Sequence, residues 1–249
     1  MKKIVIFPFN YRNKTEYLIR GYFDLSPLKT LYMAPHISKI RDFKLKYHLS
    51  HPSSILPATH SLKTLALKIV DEFSSSRIIS EVEKYIIILT LLKEKKTGIL
   101  FKQNLSGVAL AILHFIKDIK ISSESDVDYR TIKQGIENYN WKFGYNLDVL
   151  IEAVDIIKEY DRFLEKEKLI DMEDIYKESS TFIDKVPWNN LVLEGFYEIP
   201  PYQKSFVKAL IQQIEDICFS FCYDEKISSD VKDLILDKTL LFLKNVCSW

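Results

Sequence analysis

The stretch Leu191-Val192-Leu193-Glu194-Gly195-Phe196, followed by Pro200-Pro201, a helical pattern and then Ile217-Cys218-Phe219-Ser220-Phe221-Cys222-Tyr223, decides the fold class. Leu191 to Leu193 are apolar on consecutive positions rather than alternate ones. A strand that is apolar on both sides suits a parallel sheet covered on both faces. Glu194-Gly195 closes the strand. The Pro200-Pro201 start and the helical spacing of Phe206, Val207, Leu210 and Ile214 predict a crossover helix. The aromatic-rich run 217–222 is then the next strand. Parallel strands need such crossovers, and a helix supplies one here.

The N-terminal end repeats the theme. Ile4-Val5-Ile6-Phe7 is a short apolar run closed by Pro8, and Thr30-Leu31-Tyr32-Met33-Ala34 closes at Pro35. Ile55-Leu56, before Pro57, is expected to add a short strand. The sheet is therefore predicted to contain residues 4–7, 31–34, 191–194 and 217–222. Between these ends lie helical patterns, among them Val108, Ile112, Phe115 and Ile119, and Leu147, Leu150, Ile151, Val154 and Ile157. The predicted organisation is a discontinuous α/β domain, residues 1–60 and 186–249, with a helical insertion over 61–185. Ser122-Ser123-Glu124-Ser125-Asp126 reads as an exposed loop.

Composition narrows the function classes. Of 249 residues 47% are hydrophobic and 28% charged, which is globular rather than disordered. Lys plus Arg is 35 against 34 Asp plus Glu, so any nucleic-acid surface must be a local patch. Cys218, Cys222 and Cys247 are odd in number and clustered late, unlike a secreted disulfide framework. The apolar run after Met1-Lys2-Lys3 is too short for a signal peptide. No apolar stretch reaches the roughly 20 residues of a membrane span. A cytoplasmic location with no membrane partner is the expectation.

Several segments resemble a known family. The first strand is followed by Asn13-Lys14-Thr15. The strand 191–194 runs into Gly195-Phe196, then Pro200-Pro201-Tyr202-Gln203, a helix, and a strand ending Tyr223-Asp224. This order resembles the N-terminal region of the B subunit of AddAB-type (RexAB-type) helicase–nucleases, which belong to the PD-(D/E)XK nuclease family and carry an inactivated UvrD-like helicase portion. The helical stretch from Asp148 to Asp174 is similar to their helical insertion. The resemblance implies a UvrD-like (RecA-like) parallel sheet and a role in DNA end processing and recombination beside an AddA-type motor subunit. The nuclease of those subunits lies in a far C-terminal part, so the resemblance implies no nuclease activity for these residues.

The candidate sites follow from residue chemistry. A working nucleotide loop, G-x-x-x-x-G-K-[ST], needs its glycines so that backbone N–H groups approach the phosphates. Here Lys14-Thr15 supplies the final pair, but Pro8 and Asn13 occupy the glycine positions. Pro8 has no N–H to donate. The loop reads as vestigial, with no cofactor expected. A motor also needs an acid at a strand end to hold Mg²⁺. Glu194 is such a residue, though Gly195 follows where a second acid would help, so it reads as a degenerate acidic strand end or a plain strand-to-loop turn.

Lys39, Arg41, Lys44 and Lys46 interleave with Phe43, Tyr47 and His48 just after the second strand. Basic groups there would neutralise the phosphates of single-stranded DNA while aromatics stack on bases. The alternative is an amphipathic helix with Ile40 and Phe43 turned inward. Asp224-Glu225-Lys226 satisfies the bare (D/E)-x-K spacing of a metal-dependent nuclease, and a charged turn accounts for it equally. His48-x-x-His51 with His60 is a weak metal pattern interrupted by Pro52. The expected function is a non-catalytic helicase-like module binding DNA or a motor partner. A small metal-dependent nuclease, and a structural scaffold or truncated gene product without a DNA role, are the alternatives.

Overall fold

A computed structural model describes residues 2–8, 13–24, 26–95, 98–102, 104–124, 126–138 and 147–223. Along the chain the elements are β1 (Lys2–Pro8), α1 (Lys14–Leu18) running into a π-helical turn (Ile19–Phe23), β2 (Thr30–Met33), α2 (Ile37–Ser50), β3 (Ala58–His60) and α3 (Leu62–Phe73). Next come β4 (Arg77–Ile78), α4 (Glu81–Glu94), α5 (Leu105–Ser122), α6 (Tyr129–Asn138), α7 (Leu147–Lys166), β5 (Leu169–Ile170) and α8 (Ile175–Ser180). The described part closes with β6 (Asn190–Glu194), α9 (Pro201–Gln213) and β7 (Asp216–Tyr223).

The protein is α/β. Five strands form one sheet in the order β1-β7-β6-β2-β3, and every pairing in it is parallel. The runs 4–7, 191–194 and 217–222 are strands as predicted, and of the expected 31–34 the strand takes residues 31–33 and ends before Ala34. The short third strand is displaced from its expected place. Ile55 and Leu56 are exposed, at 70% and 45%, and pairing starts only after Pro57, which has no N–H for a ladder.

Side chains alternate across the sheet. Tyr32, Val192 and Cys218 point to one face, where they pack with Leu18, Ile19 and Phe23 of the first helical segment and Ile40, Phe43 and Tyr47 of α2. Leu31, Met33, Leu191, Leu193, Ile217 and Phe219 lie on the opposite face and are also buried. The route from β2 to β3 runs in one direction across the sheet and that from β6 to β7 in the other. Right-handed crossovers then put α2 and α9 on opposite faces.

The chain divides into two compact units, residues 1–73 with 176–249, and residues 74–175. Relative to the boundaries read from sequence, α3 and residues 176–185 group with the sheet. The physical reason is their apolar contacts: α3 buries Leu62, Leu65, Ala66, Ile69 and Val70, and Tyr176 packs edge-on against Tyr202 and beside Phe206 of α9. The 74–175 unit has its own core, built from Ile88, Leu92, Ile112, Ile116, Ile156, Ile157, Tyr160 and others, with the parallel pair β4–β5 beside it.

Candidate functional site

In open parallel sheets, ligands gather in the crevice outside the carboxyl ends of two neighbouring strands whose connections leave in opposite directions. Strands β2 and β6 are such a pair. Glu194 ends β6 here and is buried. Its Oε2 accepts a hydrogen bond from the Tyr32 hydroxyl at 2.6 Å, and its Oε1 lies 2.8 Å from the Lys39 ammonium. Lys39 stands in the first turn of α2, with 28% of its side chain exposed. Burial, then the Glu194 carboxylate, pushes the Tyr32 phenol far up, so it stays a donor. Gly195 turns the chain out of the sheet at φ +78°, and a Cβ there would meet Lys39 Nζ at 3.5 Å. The crevice at the strand-order reversal is thus occupied by the chain's own ion pair.

The remaining sequence-predicted residues do not converge on it. Lys14 and Thr15 open α1 behind β1, and Thr15 is buried. Asn13 has φ −102°, so it does not take the left-handed geometry that a loop glycine would supply. Among the described residues β1 pairs only with β7, which separates it from β6. Two strand spacings amount to about 10 Å. The Glu194 carboxylate is turned toward Tyr32 of β2 and Lys39 of α2.

The basic block is a helix. Phe43 and Tyr47 are fully buried, and Phe43 stacks on Tyr32 with centroids 3.9 Å apart and planes at 11°. These aromatics belong to the core and present no stacking platform to bases. The four cations divide in function. Lys39 is held by Glu194, and Lys46 lies 3.3 Å from Asp42 and 3.9 Å from Glu16. Arg41 and Lys44 are exposed and make no ion pair among the described residues. Ile37, Leu45 and Leu49, the last 72% exposed, share that outer face.

The histidines go to separate environments. His48 is exposed on α2. His51 stacks on Tyr47 at 4.7 Å and its Nε2 lies 3.1 Å from Asp24. His60 ends β3, where burial and then the charges of Lys68 and Lys44 push its ring down to about 4. Cys218 is a buried free thiol in the sheet core. Asp224 and Lys226 lie outside the described residues. No helix among the described residues is long and apolar enough to cross a membrane.

A second concentration of charge carries no motif. In the 74–175 unit Lys120 Nζ lies 2.8 Å from Asp171, 2.6 Å from Asp174 and 3.0 Å from Asp161, and Lys84 Nζ lies 2.6 Å from Glu173. One signal was present in the sequence. Lys120 continues the inward stripe Ile112, Ile116, Ile119 of α5, and Lys84 begins the stripe Ile88, Leu92 of α4. A lysine on an apolar stripe is buried only when carboxylates meet it.

The fold and this crevice define the class: an α/β protein with a parallel sheet, whose strand-reversal crevice is closed by Lys39, Glu194 and Tyr32. Comparison with known proteins adds no family. No protein-family model matches the chain, and no curated protein sequence matches it.

Proposed function

We propose that this chain is a non-catalytic, helicase-like module of an AddB-type system for DNA double-strand-break end processing, contacting single-stranded DNA or an AddA-type motor subunit without hydrolysing ATP. The observation that carries the reading is the engagement of Glu194. An acidic strand end that serves a nucleotide must be open to Mg²⁺ and water, whereas this carboxylate is buried against Tyr32 and Lys39. The missing glycines at Pro8 and Asn13 support the same reading.

Arg41 and Lys44 support contact with a nucleic-acid backbone, as two exposed cations on one helix face. Two phosphate contacts imply a log–log salt slope of about −1.4 for a single strand. The test is a fluorescence anisotropy titration of a labelled oligothymidylate at several salt concentrations. The double variant Arg41→Ala with Lys44→Ala should bind more weakly and with a slope near zero. An unchanged slope in the variant would clear α2 of the role. The exposed apolar residues Ile37, Leu45 and Leu49 on the same face favour a protein contact. No binding to the oligonucleotide at low salt would leave the motor subunit as the partner to test. A small nuclease using Asp224 and Lys226 would show Mg²⁺-dependent cleavage lost in Asp224→Ala.

A further inference from the structure

One stretch of the α/β unit exposes an unusual amount of apolar surface. Ile37, Leu45 and Leu49 of α2 are 60%, 59% and 72% exposed, and the loop that leaves this helix exposes Ile55 and Leu56. These are five of the eleven large apolar side chains exposed among the described residues, and all lie between positions 37 and 56. Exposed apolar residues scattered singly need no explanation, whereas a concentration on one element marks a contact surface. The sheet does not supply that contact. It is already packed against the other side of α2, where Ile40, Phe43 and Tyr47 are buried in the core.

The outer side of α2 is a ridge with uneven charge. Ile37, Arg41, Leu45 and Leu49 recur at every fourth residue, and such rows are the ridges by which helices pack into one another's grooves. The row runs about 18 Å along the helix axis and turns through about 120°. At about 100° per residue, Lys44 and His48 fall beside Ile37 and Arg41 on one flank. Asp42, the only carboxylate of the helix, falls on the other flank and is engaged by Lys46 at 3.3 Å. Arg41 and Lys44 are exposed and make no ion pair among the described residues. The face therefore offers aliphatic side chains edged by two cations that no acid of the chain neutralises.

We propose, resting on the reading of α2 as the module's contact surface, that this face docks an acidic amphipathic helix of a partner protein. The partner's apolar row lies against Ile37, Leu45 and Leu49, and its carboxylates meet Arg41 and Lys44. Charge selects this occupant. A second copy of the chain would set Arg41 and Lys44 against their own kind. A nucleic acid would pair with the two cations and leave the aliphatic ridge in water, and Phe43 and Tyr47, buried under the helix, offer bases nothing to stack on. An acidic helix meets both needs: its apolar side chains take Leu45 and Leu49 out of water, and its carboxylates neutralise the cations. Cations held in this way no longer bind phosphate, so docking of the helix displaces DNA from α2.

The test is fluorescence anisotropy of the whole chain with three labelled synthetic peptides of about 18 residues, long enough to cover the ridge. The first carries leucines along one helical face and glutamates beside them. The second has lysine in place of each glutamate, and the third has the composition of the first in scrambled order. The first should bind at least about tenfold tighter than either of the others. Leu45→Ser with Leu49→Ser should weaken it about tenfold or more, with an unchanged circular-dichroism spectrum because both side chains face water. Arg41→Glu with Lys44→Glu should transfer the preference to the lysine peptide. Equal binding of the first and third peptides, or binding indifferent to these substitutions, would overturn the proposal. A peptide that binds and displaces oligothymidylate, or binds where the oligonucleotide does not, upholds the docking. An oligonucleotide that binds while the peptide does not overturns the docking and leaves the DNA contact standing, and binding of neither removes α2 from both roles. Phosphatidylserine vesicles bound in place of the peptide, and released by Leu45→Ser with Leu49→Ser, would also overturn it in favour of a membrane surface.

Discussion

Glu194→Gln should make the protein bind single-stranded DNA with a steeper salt dependence. Gln has the same shape as Glu, and its amide oxygen still accepts from the Tyr32 hydroxyl, which native Glu194 holds at 2.6 Å. Its other terminal group is an amide donor placed where Oε1 now lies 2.8 Å from the Lys39 ammonium. A donor facing a cation does not hold it, and Lys39, already partly exposed, turns out to water. The number of available cations on α2 rises from two to three. The expected log–log salt slope then moves from about −1.4 to about −2.1. Between 50 and 200 mM salt, the affinity of wild type should fall about sevenfold and that of Glu194→Gln about 18-fold. The change in folding stability should stay within about 1–2 kcal/mol, because the freed ammonium reaches solvent instead of remaining buried and unpaired. Anisotropy titrations with the same oligonucleotide measure both slopes, and Lys39→Ala added to Glu194→Gln should restore the wild-type slope. An unchanged slope in Glu194→Gln, or a steep one that survives the loss of Lys39, would refute the idea that Glu194 withholds this cation.

Two further outcomes follow from the same geometry. Phe43→Ala removes a fully buried ring stacked on Tyr32 and 5.0 Å from Phe23; urea unfolding should show a loss of about 3–5 kcal/mol, and a loss under about 1 kcal/mol would mean that this face of α2 is not the packed one. Lys14→Ala should leave phosphate release from ATP at the background of the wild-type protein, and robust wild-type turnover abolished by the substitution would overturn the vestigial reading of the loop.

The sheet was legible because burial on both faces leaves a local mark: Leu191-Val192-Leu193 and Ile217-Cys218-Phe219 are apolar on consecutive positions, which neither an amphipathic helix nor a half-exposed strand requires. The short β3 was misplaced because Ala58-Thr59-His60 carries no such mark. The more apolar Ile55-Leu56 drew the assignment, although both side chains face water. The basic block left two readings open, and the buried Ile40 and Phe43 match the amphipathic-helix alternative. Sequence shows that Phe43 and Tyr47 alternate with cations, but a helix sends positions 40, 43 and 47 to one side, and only packing shows that this side is the core. The charge pairs were illegible in principle. Glu194 meets Tyr32 across 162 positions and Lys120 meets Asp171 across 51, and no local spacing rule links such partners.

On the proposed reading, the two halves of a nucleotide site have been lost from this chain by two different physical routes. Replacing loop glycines by Pro8 and Asn13 removes a backbone donor and a left-handed position, which weakens phosphate binding without touching the core. The fate of Glu194 is different. A buried carboxylate with no cation is costly, so once no Mg²⁺ is held at the strand end the acid must be replaced or find a partner within the protein. Lys39, one turn into α2, supplies that partner at 2.8 Å, and Tyr32 takes the other oxygen. On the proposed reading the acid persists because it now ties the start of α2 to the end of β6. It fixes the helix that presents Arg41, Lys44 and the exposed Leu45 to a partner. On that reading, loss of catalysis and retention of the strand-end acid are consistent with each other, because the acid holds a helix.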